Sequence, residues 1–346
     1  MILSTGLLAF SVALLASFGL AVPVRQLAIR MGMVDRPGPR KVHLQPVPLL
    51  GGLAIYCGVF LAIVVSMGSQ PWSEVVGIFA GATLLAVVGF LDDRGLLHHQ
   101  IKLFGAMPLA GVILLVSGVR AQVFSPLFRG RAGVWADTAL TLVWVVGVTA
   151  AFSILDHMDG LCAGVAAVAS LFFAIFAFQS GQLLVSTMAA AVMGAAIGFL
   201  RWNFNPAKIF MGDGGAMFLG FLMATLALKL RPAGPAHFPW LVPILILGVP
   251  VFDTTLISIS RSRRGLLPFT TPGKDHTAHR LSNLGLGQRR AVLVLYGLGA
   301  FSGASALVIS RVSQGFVLPL AGVSAVLALG AVAWLERAPY ERQTGH

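Results

Sequence analysis

Eleven apolar runs, each 16 to 22 residues long and set apart by short polar stretches, constrain this chain more than any other feature. Each is close to the ~20 residues a helix needs to cross the hydrocarbon of a bilayer. Inside lipid a backbone must satisfy its own hydrogen bonds, which a helix does within one segment. A soluble globule is excluded on the same grounds: 57% of the 346 residues are apolar and 10% charged, too few charges to coat such a surface. The runs fall near 3–24, 51–67, 75–91, 103–118, 134–151, 161–178, 183–200, 214–230, 239–258, 290–310 and 316–335. The expected fold is all-α, a polytopic integral membrane bundle of about eleven transmembrane helices, with ten as the alternative count. No 20–50-residue repeat, low-complexity tract or soluble insertion interrupts the pattern, so 1–346 reads as one transmembrane domain.

Residues 1–24 carry no basic n-region and are followed, not preceded, by Arg25 and Arg30. That marks a retained helix with its N-terminus outside. With this start, 18 of the 24 Lys and Arg residues fall in alternate loops on one side, which the positive-inside rule assigns to the cytoplasm. The loops near 25–50, 92–102, 152–160, 201–213 and 259–289 lie on that face. The net charge of +12 fits such loops beside anionic lipid headgroups and not a nucleic-acid surface. Cys57 and Cys162 lack metal or redox spacing and read as packing residues. Phe172, Phe173, Phe176 and Phe178 read as packing or lipid-facing, and Arg261, Arg263 and Arg264 as a positive-inside anchor. Arg120, Arg129 and Arg131 run against the charge rule, and nothing in the sequence explains them.

Polar chemistry gathers on the cytoplasmic side. Asp92 and Asp93 end an apolar run (LLAVVGFLDDRG), Asp156 and Asp159 begin one (SILDHMDGLCAG), and Asp213 sits in a glycine-rich bend (IFMGDGGAMFLG). Of nine aspartates only Asp137 falls on the other side. Ionised groups at the edges of membrane helices are costly and point to function. Carboxylates from separate loops suit Mg²⁺, which takes one or two of them and fills its remaining positions with water and substrate phosphates. Arg40, Lys41, Lys102, Lys208 and Arg280 alternate with the acids. His276 and His279, three apart in PGKDHTAHR, would share one face of a helical turn and donate to phosphate; Zn²⁺ ligation is disfavoured because no Cys or Glu accompanies them. Gly212 to Gly215 would leave amide groups free for an anion at a helix start.

The ordered motifs DRPGPRKVHLQPVPLLGGLAI, GFLDDRGLLHHQIKL, FSILDHMDGLCAGV, NPAKIFMGDGGAMFLG, PVFDTT and GKDHTAHRLSNLGL resemble the polyprenyl-phosphate N-acetylhexosamine-1-phosphate transferase superfamily, over about residues 20–300. The resemblance is strongest to the bacterial undecaprenyl-phosphate GlcNAc-1-phosphate transferase branch. It implies an Mg²⁺-dependent transfer, Mn²⁺ serving in its place, of a sugar 1-phosphate from a UDP-N-acetylhexosamine, UDP-GlcNAc first, to undecaprenyl phosphate. UMP leaves, and the lipid-linked sugar diphosphate primes a cell-envelope polysaccharide. The implied setting is the bacterial inner membrane with the active site on its cytoplasmic face, among membrane lipids; a homodimer is compatible with it.

Carried onto this sequence, the resemblance makes Asp213 a metal ligand, with Asp92 and Asp93 supporting the metal or the acceptor phosphate. Asp156 and Asp159 lie at the nucleotide end, Asp159 against uracil. Lys41, Lys102 and Lys208 hold phosphate or nucleotide, His276, His279 and Arg280 line the diphosphate or sugar, and Asp253 braces the site. The sequence departs from the family at Ala150, Ser153 and His157, where asparagines are usual, and at Thr277 and Ala278, which thin the histidine cluster. Ser153 is the departure nearest the metal and nucleotide, and its hydroxyl retains some ligating capacity. The competing readings are a catalytically impaired paralogue and, with less support, a lipid-linked-sugar transporter, whose charges would lie at the bilayer midplane.

Overall fold

The computed structural model describes residues 2–35, 46–66, 68, 72–97, 99–128, 130–233, 239–267 and 273–340. The chain divides into two compact units, Met1–Arg231 and Pro232–His346. In the first, helices α1 (Ile2–Arg30), α2 (Gly51–Ser66), α3 (Trp72–Asp92), the short α4 (His99–Ile101), α5 (Met107–Val116), α6 (Arg131–Leu155), α7 (Leu161–Gln179), α8 (Leu183–Asn203) and α9 (Gly212–Lys229) follow in order. A π-helical turn, Lys102–Ala106, leads into α5. Two short antiparallel strands, β1 (Val34–Asp35) and β2 (Val47–Pro48), complete the unit.

The core of this unit is α9. Every residue from Gly214 to Leu228 is buried, and α2, α3, α6, α7 and α8 all pack on it. A helix apolar on every side belongs in such a place. Around it, α1 lies along α8 through small buried residues, Ala9, Ala13, Ser17 and Ala21 facing a helix with Ala191, Gly194, Ala195 and Gly198 buried. Small side chains let membrane helices approach closely, where packing rather than hydrophobicity drives association. Asp137, the one aspartate expected on the far side, is wholly buried. Its carboxylate accepts the amides of Val123, Phe124 and Ser125 at 2.8–2.9 Å and so shapes the loop before α6.

The second unit contains α10 (Leu241–Ile246), α11 (Gly248–Arg263), α12 (Thr277–Leu281), α13 (Gly287–Ile309) and α14 (Gln314–Leu335), with a π-helical turn at Ser282–Leu286. Its α13 packs against α10, α11, α12 and α14.

All-α polytopic architecture is what the sequence leads one to expect, yet the count of eleven is not established. Among the described residues seven helical stretches are long and apolar enough to cross a membrane, while α2 and the stretch Lys102–Val116 are shorter apolar helices. The expected span at 239–258 is broken at Leu247 into α10 and α11. Pro250 has no N–H to return to Ile246, which opens the ladder there; one residue before, Ser302 Oγ of α13 donates to the Leu245 carbonyl at 2.6 Å. The end of the first span also moves. Pro23 lies inside α1 and does not stop it, so Arg25 and Arg30 ride on helix rather than on a loop.

Candidate active site

The acidic motifs of the first unit meet around the start of α9. Gly212 adopts φ +76°, a left-handed conformation that costs glycine nothing and any side chain strain. This turn aims the first amides of α9 at the end of α3: Asp93 accepts the N–H of Asp213 at 2.8 Å and that of Gly214 at 3.3 Å. The carboxylate thereby acts as an N-cap supplied by another helix, where negative charge is favoured. Close approach is what permits it. A Cβ on Gly89 would lie 2.4 Å from the Gly214 amide nitrogen, so neither helix tolerates a larger residue at the crossing. On the other side, the amides of Gly51 and Gly52 donate to Phe210 O at 2.9 Å and Met211 O at 2.8 Å, tying the start of α2 to the same turn.

Asp213 and Asp92 then share a single cation. Lys102 Nζ donates to Asp92 Oδ2 and to Asp213 Oδ2, both at 2.6 Å. It does so from the π-helical turn, not from the loop expected to carry it. From α6, Ser153 Oγ donates to Asp213 Oδ1 at 2.9 Å, so the serine at a departing motif position reaches the central carboxylate. Ala150 is buried, and His157 Nδ1 lies 3.0 Å from Ile154 O.

Asp156 and Asp159 flank this centre in the turn between α6 and α7. Asp159 Oδ2 accepts Asn205 Nδ2 at 3.1 Å and the Ala207 amide at 3.0 Å. Asn203 clasps the same turn, accepting the Gly160 amide and donating to Ile209 O, both at 3.0 Å. These asparagines escape sequence reasoning; two asparagines just before a proline between apolar runs (RWNFNPAKIF) are the only trace they leave. Burial pushes the Asp156 carboxyl up to about 8, with the charges of Asp213, Asp93 and Asp159 adding to it. Burial likewise raises Asp93 to about 7, against the two amides it accepts. Of these five carboxyls, Asp92 and Asp213 are the two hydrogen-bonded to a cation among the described residues, and it is the same one, Lys102. Such an excess of acid is the environment a further cation would relieve.

The donor set fits Mg²⁺. Asp92 and Asp213 present hard oxygens to one point, and Ser153 stands beside them. With Asp93 turned onto α9, no group of three or more His, Cys, Asp or Glu side chains gathers for a metal among the described residues. Two carboxylates suffice for an ion that takes its other ligands from water and phosphates.

The surroundings of the remaining candidate residues are these. Lys41 and Arg40 fall outside the described residues. Lys208 Nζ lies 5.6 Å from the centroid of the Trp202 ring. In the second unit, His276 Nδ1 sits 2.9 Å from Asp253 Oδ2, whose other oxygen accepts the Thr277 amide at 2.7 Å. Asp253 therefore braces the His276 turn, and the rings of His276 and His279 meet edge to face with centroids 6.1 Å apart. Arg280 is wholly buried and its guanidinium is engaged by Asp275 O, Leu335 O and Ser260 Oγ.

Arg261 and Arg264 are not free loop charges either. Arg261 holds Asp275 through Nε at 3.1 Å and Nη2 at 2.8 Å, and Arg264 Nη2 donates to the same carboxylate. Burial alone would raise the Asp275 carboxyl, but the hydrogen bonds and charge of Arg261, with those of Arg264, outweigh it and hold the group at about 2. A carboxylate depressed in the folded state stabilises above its unfolded pKa of about 3.9 and loses that contribution as pH falls toward 2. Thermal unfolding of the full chain should lose about 2 kcal/mol between pH 4 and pH 2 through this residue. Asp275→Asn should be destabilised at pH 7 and flatter over that interval; an identical acid profile in the variant would refute the role.

Residues 75–231 match the family model described as glycosyl transferase family 4. The chain is 37% identical over 304 residues to a "Probable undecaprenyl-phosphate N-acetylglucosaminyl 1-phosphate transferase" of Bacillus subtilis, covering 87% of this chain and 84% of that protein. It is 31% identical to the "Decaprenyl-phosphate N-acetylglucosaminephosphotransferase" of Mycolicibacterium smegmatis, covering 88% and 82%. With the "Undecaprenyl-phosphate alpha-N-acetylglucosaminyl 1-phosphate transferase" of Yersinia pestis the identity is 28%, over 78% and 75%.

Proposed function

Because the chain belongs to the polyprenyl-phosphate N-acetylhexosamine-1-phosphate transferase superfamily, within glycosyl transferase family 4, we propose that it transfers N-acetylglucosamine 1-phosphate from UDP-GlcNAc to undecaprenyl phosphate. An oxygen of the acceptor phosphate attacks the β-phosphorus of the donor, the bond from that phosphorus to the bridging oxygen breaks, and UMP leaves with the electron pair. The reaction runs at the cytoplasmic face of the inner membrane, and the product primes a cell-envelope polysaccharide. One observation carries the reading: carboxylates from two different helices, Asp92 and Asp213, converge within 2.6 Å of one lysine nitrogen.

Phosphoryl transfer asks a protein mainly for positioning and charge neutralisation. Mg²⁺, held by Asp213 and Asp92, would supply positive charge to the diphosphate oxygens. Lys102 neutralises the two carboxylates and would turn to a substrate phosphate when one arrives. Asp93 keeps the start of α9, and with it Asp213, in place. A dedicated strong base is unnecessary, since a phosphate monoester with a second pKa near 6 is largely ionised at pH 7. Asp159, held by Asn205 and Ala207, would contact the nucleotide. His276 and His279 would donate to the diphosphate or sugar.

The hydrogen bond from Ser153 to Asp213 favours an active enzyme over an impaired paralogue, because the replaced position still engages the central carboxylate. Detergent-purified protein with undecaprenyl phosphate, Mg²⁺ or Mn²⁺ and a panel of UDP-sugars should release UMP only when donor and acceptor are both present. Absence of UMP with every donor would overturn the assignment. Ser153→Ala should lower kcat/KM at least tenfold, since a hydrogen bond to a charged group contributes about 1.5–3 kcal/mol. Unchanged kinetics would mean that the hydroxyl is idle.

A further inference from the structure

Lys208, expected on the substrate, stands in a basic cluster beside Trp202. Its ammonium lies 5.6 Å from the centroid of the Trp202 ring, and the guanidinium carbon of Arg201 lies 5.8 Å from the same centroid. Both distances are within reach of cation–π attraction. Arg25 Nε, from α1, donates to the Lys208 carbonyl at 3.1 Å. Two cations therefore flank one indole and a third, Arg25, is tied to the backbone of one of them; all three are exposed. Among the described residues none of them pairs with a carboxylate, whereas Lys102, Lys229, Arg261, Arg264 and Arg280 all do.

The depth of the cluster is set by its neighbours. Trp202 Nε1 donates to Phe18 O at 3.0 Å, which fixes the indole against α1 about two turns before Arg25. Leu15, Phe18 and Val22 of α1 and Ile197 of α8 are exposed apolar residues lying toward the membrane centre from the cations. Tryptophan with its N–H satisfied and its ring at the edge of an apolar surface marks the headgroup level. Below it lies a surface for acyl chains, and at it lies uncompensated positive charge.

We propose that Arg25, Arg201 and Lys208 form a binding site for the phosphate of an anionic phospholipid, whose acyl chain lies along Leu15, Phe18 and Ile197. The inference is independent of the transferase reading. It has a mechanical consequence, because the segment carrying Lys208 also holds Asp159: the Lys208 amide donates to Trp202 O at 2.8 Å and the Ala207 amide to Asp159 at 3.0 Å. A bound phosphate would stiffen that segment.

The test is lipid retention by the intact, detergent-purified chain, read by native mass spectrometry against equimolar phosphatidylglycerol, phosphatidylcholine and undecaprenyl phosphate. Wild type should retain phosphatidylglycerol over phosphatidylcholine. The double variant Arg25→Gln/Arg201→Gln should lose that preference roughly 30-fold, since each cation near an anionic lipid contributes about 1 kcal/mol. Arg201→Lys in place of Arg201→Gln should restore part of it, which a purely structural role for the guanidinium would not allow. Three outcomes would overturn the proposal: no anionic preference in wild type, full retention in the double variant, or displacement of phosphatidylglycerol from this site by undecaprenyl phosphate.

Discussion

Asp213→Asn should lower kcat about a thousandfold, the loss expected when a group stabilising the charge of a transferring phosphoryl is neutralised. Isosteric exchange leaves the Ser153 contact and the Gly212 turn in place, so the protein should fold and remain in the membrane fraction. What changes is charge: Lys102 keeps only Asp92 as an ionised partner, and the hard-oxygen pair becomes a single carboxylate. Asp92→Asn should show a similar loss by the same route. Asp93→Asn should behave differently, because its carboxylate accepts the amides of Asp213 and Gly214 and an amide side chain offers only one acceptor atom. Thermal stability should fall along with activity there. UMP release and unfolding temperature, measured on all three variants, separate the roles; full activity in Asp213→Asn would remove Asp213 from the centre.

Replacing Arg280 with methionine should strongly destabilise the folded protein. The guanidinium is entirely buried. It donates to Asp275 O at 2.7 Å, Leu335 O at 2.9 Å and Ser260 Oγ at 2.8 Å, pairs with Glu336 at 2.8 Å and lies 4.0 Å from the centre of the Tyr340 ring. Removing one partner of a buried ion pair costs about 3–5 kcal/mol, because the other charge is stranded. For a unit of this size that is a fall in unfolding temperature on the order of 10 °C or more. Lysine should rescue poorly, since a point charge cannot reproduce a planar fork with several acceptors around it. A stable Arg280→Met protein that has lost only turnover would instead restore the substrate role that the motif suggests for this residue.

Much of this molecule is legible in one dimension. Run length and the scarcity of charge dictate helices in lipid, and the distribution of Lys and Arg orders the loops by side. Both are sums over neighbouring residues, so a linear reading captures them. The break at Leu247 is less legible, since Pro23 passes without ending α1 while Pro250 coincides with a divided helix. Proline's effect depends on the packing around it, and at this break Ser302 of α13, far along the chain, donates to the neighbouring Leu245 carbonyl.

The site divides in the same way. Asp92, Asp156, Asp159 and Asp213 stand out in the sequence because carboxylates at the ends of apolar helices are costly. Nothing in the sequence tells Asp92 from Asp93, yet one meets Lys102 and the other caps α9. Their side chains leave the helix end about 100° apart, and which one meets α9 is decided by the rotation of α3 against the Gly89–Gly214 crossing. Lys208 and Arg280 carry the charge that phosphate chemistry needs, yet the sequence does not show that one stands over the Trp202 ring and the other is buried among Asp275, Glu336 and Tyr340. By itself the sequence determined an all-helical membrane protein, its polar face and its family. Only the tertiary structure decided which charges share a point in space, because that depends on helix rotation and close packing between residues far apart in the chain.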